Sequence, residues 1–202
     1  MDLQPIRREV DSDNSCLFSS IAYLLNKQDF DELSSLKFRN IVVEYLLDNK
    51  FDSTLLDQPK EQYIDFIQDS KNWGGALEVK MFSEIFKIKI ICIDVKTNLA
   101  YIYGEDKNYD NCIYLLYNGA HYDPLVMNIN ITSDPISDIT IFDSNDHNIL
   151  ELMKSLVLEY KNQGEYINFY TIKCNDCNEK FTSEDDAYNH LINYNHTNLF
   201  QI

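Results

Sequence analysis

Four cysteine and histidine side chains near the C-terminus constrain the fold of this sequence more than any other feature. Two residues separate Cys174 from Cys177, twelve separate Cys177 from His190, and five separate His190 from His196. At this spacing a short β-ribbon and the helix after it bring two thiolates and two imidazoles to one tetrahedral zinc ion. We therefore predict a ββα zinc finger over residues 169–202, with zinc in a structural role.

The predicted finger has an unusual small core. Phe181 is placed to fill the space between ribbon and helix, but Ala187 stands where such fingers usually carry a leucine. A core of this kind depends on buried apolar area, so the shorter side chain predicts a weaker one.

The charge of the chain argues against nucleic acid as its partner. The chain has 33 acidic and 17 basic residues, a formal charge of −16, which repels phosphate. If Ser183 caps the finger helix, the base-reading positions are Ser183, Asp186 and Asn189, next to Glu184 and Asp185. A nucleic-acid-binding finger protein is kept as a minor alternative, which steeply salt-dependent binding would support.

The N-terminus and the cysteines indicate a reducing compartment. Met1–Val10 contains a proline and several charged residues instead of the apolar run of a secretory signal, and no later stretch is long and apolar enough to span a membrane. We expect a cytoplasmic monomer without a membrane partner. Thiols stay reduced there, so the five cysteines are predicted to be catalytic, metal-binding or buried: Cys16, Cys92, Cys112, Cys174 and Cys177.

Residues 1–129 predict an α+β domain, in which helices pack on a small, mostly antiparallel sheet. Helical periodicity covers Cys16–Leu25, Ser34–Leu47, Glu61–Gln68 and Ala76–Phe86. Strand patterns cover Ile88–Val95, Leu99–Tyr103, Cys112–Tyr117 and His121–Met127. The pair Asn118-Gly119 predicts the turn between the last two strands.

Residues 130–168 are predicted to connect this domain to the finger. Asn128–Asp146 has little periodicity and is interpreted as a linker or a surface segment. One helix is predicted near Ile149–Lys161, and Gly164 is predicted to end it.

Cys16 has the position of an activated nucleophile. Asp13, Asn14 and Ser15 are all plausible caps for the helix that follows. A cysteine in the first turn is stabilised as thiolate by the helix dipole, and the backbone N–H groups of that turn are directed at a developing oxyanion. A buried helix-start cysteine without chemistry is the alternative that remains open.

His121 is the histidine best placed to act as its base. Two of the four histidines belong to the predicted zinc site, and His147 lies in the polar connector. Asp123 follows two residues after His121, so both side chains share one strand face, and Pro124 favours that extended backbone. A strand-end histidine bonded only to backbone stays open, as does Asp13 between a loop cap and direct chemistry.

Three segments in this order resemble the ovarian-tumour (OTU) deubiquitinases. Asp13–Phe18 is similar to their Cys-loop, Trp73-Gly74-Gly75 with Glu78 to the segment before their variable loop, and Tyr117–Leu125 to their His-loop. The similarity is greatest to the branch that ends in a two-Cys, two-His zinc finger.

This resemblance implies an OTU-type, papain-like cysteine protease domain that hydrolyses isopeptide bonds of ubiquitin without a catalytic cofactor. It implies Cys16 as nucleophile, His121 as base, and Asp13 and Asp123 as supporting acids. Substrate contact is assigned to the loops around them: Asn14, Ser15, Trp73, Gly74, Gly75, Tyr117, Asn118, Gly119 and Ala120.

The implied partners are ubiquitin and polyubiquitin chains. The acidity of the chain suits the basic face of ubiquitin, because opposite charges speed encounter. An AAA-type segregase is a further partner that the resemblance implies. Related members dock on it through an N-terminal ubiquitin-like domain, whereas this chain begins at the catalytic core, which leaves such docking open. The alternative of another class is a catalytically silent ubiquitin-binding adaptor.

Overall fold

The computed structural model describes residues 2–26, 32–48, 50–163, 172–181 and 184–201. Within these ranges the larger body is built on a six-stranded sheet of order β1-β5-β4-β2-β3, in which β6 pairs with β4. The pair β2–β4 is parallel and the other neighbours are antiparallel, which confirms the predicted α+β class. The strands are β1 (Gln4–Arg7), β2 (Lys89–Asp94), β3 (Ala100–Tyr103), β4 (Asn111–Tyr117), β5 (Tyr122–Asn128) and β6 (Phe142–Asp143).

Helices α1 to α4 cover one face of this sheet. They are α1 (Cys16–Asn26), α2 (Glu32–Leu47), α3 (Lys60–Gln68) and α4 (Ala76–Phe86), which confirms the four predicted helices of this region. Their apolar residues enter the main core with the inward residues of the strands, such as Phe18, Val42, Phe82, Ile90 and Leu115. Burial of these side chains fixes α1, and with it Cys16, against β5.

Helix α5 (His147–Gln163) covers the opposite face. Its Met153 and Val157 are fully buried in a second core cluster with Leu116 and Leu125 of the sheet. The predicted helix is therefore confirmed, while Gly164, its predicted end, lies outside the described residues.

Residues 128–146, interpreted as a linker or a surface segment, are bound to the larger body by a buried ionic network at Asp138. Arg8 donates to Asp138 from Nε at 2.8 Å and from Nη2 at 2.7 Å, and Tyr23 donates its hydroxyl proton to the same carboxylate. Burial acts to raise the pKa of Asp138, but these hydrogen bonds and the charge of Arg8 outweigh it, and the pKa is lowered. The domain boundary at residue 129 stays a prediction.

The C-terminal residues form a small second sheet and a helix. Strands β7 (Ile172–Cys174) and β8 (Lys180–Phe181) precede α6 (Glu184–Tyr194), as the finger prediction requires. The structure adds β9 (Leu199–Gln201), which pairs with β7 and makes the order β8-β7-β9. Ser183, the predicted helix cap, lies outside the described residues.

Two local predictions differ from the structure. Strand β1 was not predicted, since four residues that contain Pro5 give little periodicity. His121 lies one residue before β5 rather than inside it, because its N–H donates to the Asn118 side chain at 2.7 Å and so belongs to the turn. In the described part of the chain, no helix is both long and apolar enough to cross a bilayer.

Candidate active site and metal centre

Cys16 is the first residue of α1 and is buried. The carbonyl of Ser15 accepts the N–H of Ser19 at 3.0 Å, so Ser15 caps the helix. Asn14 has a φ of 65°, a left-handed conformation that turns the chain into the helix. The exposed Asp13 accepts the N–H of Ser15 at 2.9 Å, a contact that shapes this turn.

A buried cation, Arg39 of α2, holds the loop before Cys16. Its guanidinium lies 4.1 Å from the centre of the Phe18 ring. Burial lowers its pKa to about 10, against the opposing charges of Glu78 and Asp13. It donates at 2.8–3.0 Å to four oxygens in three segments: Asn14 O, Ser15 Oγ, Ile67 O and Asn72 O.

Sequence reasoning missed Arg39, although one signal was available. On α2, Arg39 is three residues before Val42 and seven before Leu46, so it shares their buried stripe. A charged residue on an apolar helix face is buried only when it is paired or well bonded, which points to a positioning role.

His121 is completely buried beside β5, and local hydrogen bonds fix its backbone. The Oδ1 atom of Asn118 accepts the N–H groups of Ala120 at 3.0 Å and of His121 at 2.7 Å. Gly119, between Asn118 and Ala120, has a φ of 102°, a conformation that favours glycine. The predicted turn is confirmed, and its geometry aims the imidazole into the protein.

Asp123 lies next to the imidazole, as the strand alternation predicts. Its Oδ1 is 3.3 Å from Nε2 of His121 and accepts the N–H of Val10 at 3.0 Å, and its Oδ2 accepts from Nε of Arg7 at 2.9 Å. Burial acts to raise the pKa of Asp123, but its bond to and the charge of His121, then the charge of Arg7, outweigh it and lower the pKa. Arg7, whose guanidinium also lies 5.5 Å from the Tyr160 ring centre, was not predicted.

Cys16 interacts electrostatically with the His121–Asp123 pair. Burial acts to lower the pKa of His121, but the charge of Cys16 and then the hydrogen bond with Asp123 outweigh it and raise the pKa to about 10. The structure thus brings Cys16, His121 and Asp123 together. A thiol beside an imidazole that a buried carboxylate orients can carry out nucleophilic attack on a carbonyl.

Trp73 and Gly74 pack next to the Cys16 loop. The indole N–H of Trp73 donates to Oδ1 of Asn14 at 2.7 Å. A Cβ atom added at Gly74 would lie 2.7 Å from a carbon of the Phe18 ring, so only glycine allows this approach.

The other predicted substrate-binding residues surround these two loops. The N–H of Gly75 donates to Oε2 of Glu78 at 2.7 Å at the start of α4. Tyr117 ends β4 and stacks on Tyr122 with ring centres 4.6 Å apart, and Ala120 is buried. Their contact with a substrate stays a prediction.

The four predicted metal ligands are close together at the base of the finger. Sγ of Cys174 is 3.4 Å from Nδ1 of His196, Sγ of Cys177 is 3.3 Å from Nε2 of His190, and all four ligand atoms lie within 4.8 Å of one another. Bonds of about 2.0–2.3 Å to a tetrahedral zinc ion place such atoms roughly 3.4–3.6 Å apart, so the group fits a metal ion of this kind. Glu179, which sequence reasoning missed, lies 3.1 Å from Nδ1 of His190, a carboxylate contact that orients a ligating imidazole.

All five cysteines are free. Cys92 and Cys112 are buried in the sheet, where burial raises the pKa of each thiol. These two are inert core residues, so Cys16 is the candidate nucleophile among the cysteines outside the metal group.

Fold and site together resemble those of cysteine hydrolases, and the comparison with known families identifies the particular family. Residues 11–124 match the family described as OTU-like cysteine protease, and the chain belongs to that family. It is 34% identical over 197 residues to the ubiquitin thioesterase OTU1 of Dictyostelium discoideum, covering 96% of this chain and 60% of that protein. It is 30% identical over 200 residues to the ubiquitin thioesterase Otu1 of Drosophila melanogaster, covering 98% and 57%. The chain thus spans about three fifths of the length of these curated relatives.

Solved structures agree with this assignment. A structure described as an ovarian tumour (OTU) domain in complex with ubiquitin aligns with a TM-score of 0.67 at 33% identity, over 79% of this chain and 88% of that one. The OTU domain protease from Qalyub virus aligns with a TM-score of 0.52 at 20% identity, over 61% and 85%. The second likeness concerns the fold alone, and both confirm the predicted OTU-type fold.

Proposed function

We propose that this protein is a deubiquitinase, a thiol hydrolase that cleaves isopeptide bonds in polyubiquitin or in ubiquitinated proteins. The observation that carries the proposal is the completely buried His121–Asp123 pair in electrostatic contact with Cys16 at the start of α1. The relatives named ubiquitin thioesterase, and the similar OTU domain solved with ubiquitin, supply the substrate class.

In the first half-reaction the Cys16 thiolate attacks the isopeptide carbonyl carbon. The carbonyl π electrons move to oxygen, and the N–H of Cys16, in a helix turn whose N–H groups have no intrahelical partner, faces the oxyanion. The protonated His121 then gives its Nδ1 proton to the departing lysine nitrogen as the C–N bond breaks. Nδ1 has this role because Nε2 is engaged by Asp123.

In the second half-reaction water replaces the amine. His121, now neutral, takes a proton from the water as its oxygen attacks the thioester carbon. The C–S bond breaks and the thiolate is restored beside the imidazolium. Ubiquitin leaves as the carboxylic acid, which gives its remaining proton to the solvent and becomes the carboxylate. Asp123 holds the ring through both steps and stabilises its charged form.

The finger has a structural function in this proposal. Zinc bound by Cys174, Cys177, His190 and His196 would crosslink β7, α6 and the residues before β9, and so replace the large apolar core that so short a unit lacks. The excess of 33 acidic over 17 basic residues favours a basic partner surface such as that of ubiquitin.

The proposal is tested with a panel of di-ubiquitins of different linkage, incubated with the pure protein in reducing buffer. We expect at least one linkage to be cleaved by the wild type and none by Cys16→Ala. Cys92→Ala is the matched control, since it removes a buried thiol from β2 and should preserve cleavage.

A ubiquitin probe with a thiol-reactive group at its C-terminus gives an independent readout. We expect one covalent adduct, located at Cys16 by mass spectrometry. If the panel stays uncleaved and no adduct forms, while polyubiquitin still binds, the protein is a ubiquitin-binding adaptor instead.

A further inference from the structure

The finger does not stand apart from the OTU domain; it packs against the wall of the Cys16 site. Ala120, the residue before His121, forms one buried cluster with Ile172 of β7 and Ala187 of α6. Exposed fractions of 7% for Ala120 and 0% for the other two show that this contact excludes solvent. The apolar side of the finger thus covers the loop that carries the base.

Trp73 connects the finger to the loop that carries the nucleophile. It packs on the same cluster, and its ring meets that of Tyr188 edge to face, with ring centres 6.3 Å apart. Its indole N–H donates to the side chain of Asn14, two residues before Cys16. One aromatic side chain therefore contacts α6 on one side and bonds the Cys16 loop on the other.

Two elements of the finger carry both contact residues and two of the four predicted metal ligands. Strand β7 carries Ile172 and Cys174, and α6 carries Ala187, Tyr188 and His190. Because a bound metal fixes β7 relative to α6, it also fixes the surface that they present to Trp73 and Ala120.

This contact explains why position 187 carries an alanine. A leucine is usual at this position in such fingers and would fill their own core, whereas the alanine is fully buried in the cluster with Ala120. The small side chain lets α6 approach the His-loop closely.

We propose that the zinc finger is a positioning element of the active site, acting through Trp73 on the Asn14–Cys16 loop and through Ala120 on the His121 loop. The inference deepens the proposed deubiquitinase function and rests on it. Trp73 is in this sense a positioning residue, in addition to any contact it makes with substrate. A loop displaced by about 1 Å is enough to slow catalysis by up to about a hundredfold.

The only tryptophan of the chain is Trp73, so its fluorescence reports this contact directly. Ala187→Leu should preserve the finger and its metal but separate it from Ala120. Tyr188→Ala removes the aromatic partner, and its residue is 40% exposed, so the change does not empty a core. Tyr188→Phe keeps the ring and should behave as wild type. Ile192→Ala, at a site on α6 that is 78% exposed, is the matched control.

We expect Ala187→Leu and Tyr188→Ala to shift the Trp73 emission to longer wavelength while metal content and helical circular dichroism stay unchanged. Removal of the metal from the wild type with a chelator should give the same shift. With a fluorogenic ubiquitin substrate, kcat should fall by about tenfold with a smaller change in KM, since positioning acts on the transition state. Alkylation of Cys16 by iodoacetamide, followed by mass spectrometry, should slow in parallel.

The outcomes separate this inference from the proposed function. Unchanged Trp73 emission and unchanged Cys16 alkylation in both variants would overturn the positioning role even if ubiquitin is cleaved. Shifted emission and slower alkylation, in a protein that cleaves no ubiquitin, would support the positioning role and remove the deubiquitinase assignment. A shift in emission without any change in alkylation or kcat would reduce the contact to packing and overturn the inference.

Discussion

The two loops of the active site are held in place in different ways. The His121 loop is organised mostly by its own neighbours, Asn118 and Asp123, through bonds of 2.7 Å and 3.3 Å. The Cys16 loop depends on distant residues, namely Arg39 from α2 and Trp73 from the segment before α4. The proposed base is therefore positioned mostly by local sequence, and the proposed nucleophile mostly by contacts that only the tertiary fold provides.

Removing the local support should have the largest effect. Asp123→Asn keeps the shape of the side chain but loses the charge that stabilises the imidazolium and fixes its tautomer, so kcat on a fluorogenic ubiquitin substrate should fall by about a thousandfold. Asp134→Asn, in an exposed 3-10 turn, is the control and should match wild type. A loss below about tenfold would mean that His121 does not need an orienting carboxylate.

Removing the distant support should first affect stability. Arg39→Met leaves three buried or half-buried carbonyls and the Ser15 hydroxyl without their donor, so the free energy of unfolding should fall by about 3 kcal/mol in urea titration. Lys37→Met, on the exposed side of the same helix, should change it by less than about 0.5 kcal/mol. Equal effects of the two substitutions would contradict the dependence of the Cys16 loop on Arg39.

The pH dependence of activity tests the interaction between the His121 loop and the Cys16 loop. The pKa of His121 is raised from 6.5 to about 10, so its contribution to stability is complete below pH 6.5 and is lost as the pH rises through about 10. We expect kcat/KM to fall about tenfold per pH unit above that value, as the imidazolium is lost. A decline that begins near pH 6.5 instead would show that Cys16 and Asp123 do not stabilise the charged ring.

Substitution of Asp13 should have the smallest effect on kcat. It distinguishes the two roles that the sequence leaves open, a loop cap and direct chemistry. If Asp13 only shapes the loop by accepting the Ser15 N–H, Asp13→Asn should keep kcat within about twofold, since asparagine accepts the same bond. Asp13→Ala should lower kcat by about fivefold, the factor for one such bond. Equal, large losses in both variants would indicate that the charge of Asp13 takes part in the chemistry.

The sequence predicted most of the elements of the fold because their periodicity is strong. Ala76–Phe86 and the hairpin of β2 and β3 follow from apolar spacing and β-branched residues. Strands β1 and β9 are short and gain their stability from pairing with β5 and β7, so no local pattern marks them. The sequence also did not predict that the segment around Asp138 is bound to the sheet, because the partners of Asp138, Arg8 and Tyr23, are remote in sequence.

In the site, the sequence allowed prediction of the candidate catalytic residues but not of the residues that hold them in place. Cys16, His121 and Asp123 are marked by helix capping, strand alternation and residue type. Arg7 and Arg39 are marked only weakly, because an arginine signals a solvated surface unless its partners are known. Their partners lie in other elements that meet only in three dimensions.

The distance along the chain between the two loops has a consequence for the newly made protein. Cys16 leaves the ribosome before α2 provides Arg39 and long before β5 provides Asp123. A growing chain is made from its N-terminus, so between the synthesis of α1 and that of β5 it carries Cys16 as an ordinary thiol. In the proposed mechanism, the Cys16 sulfur is therefore activated only when almost all of the residues that match the OTU family have been translated.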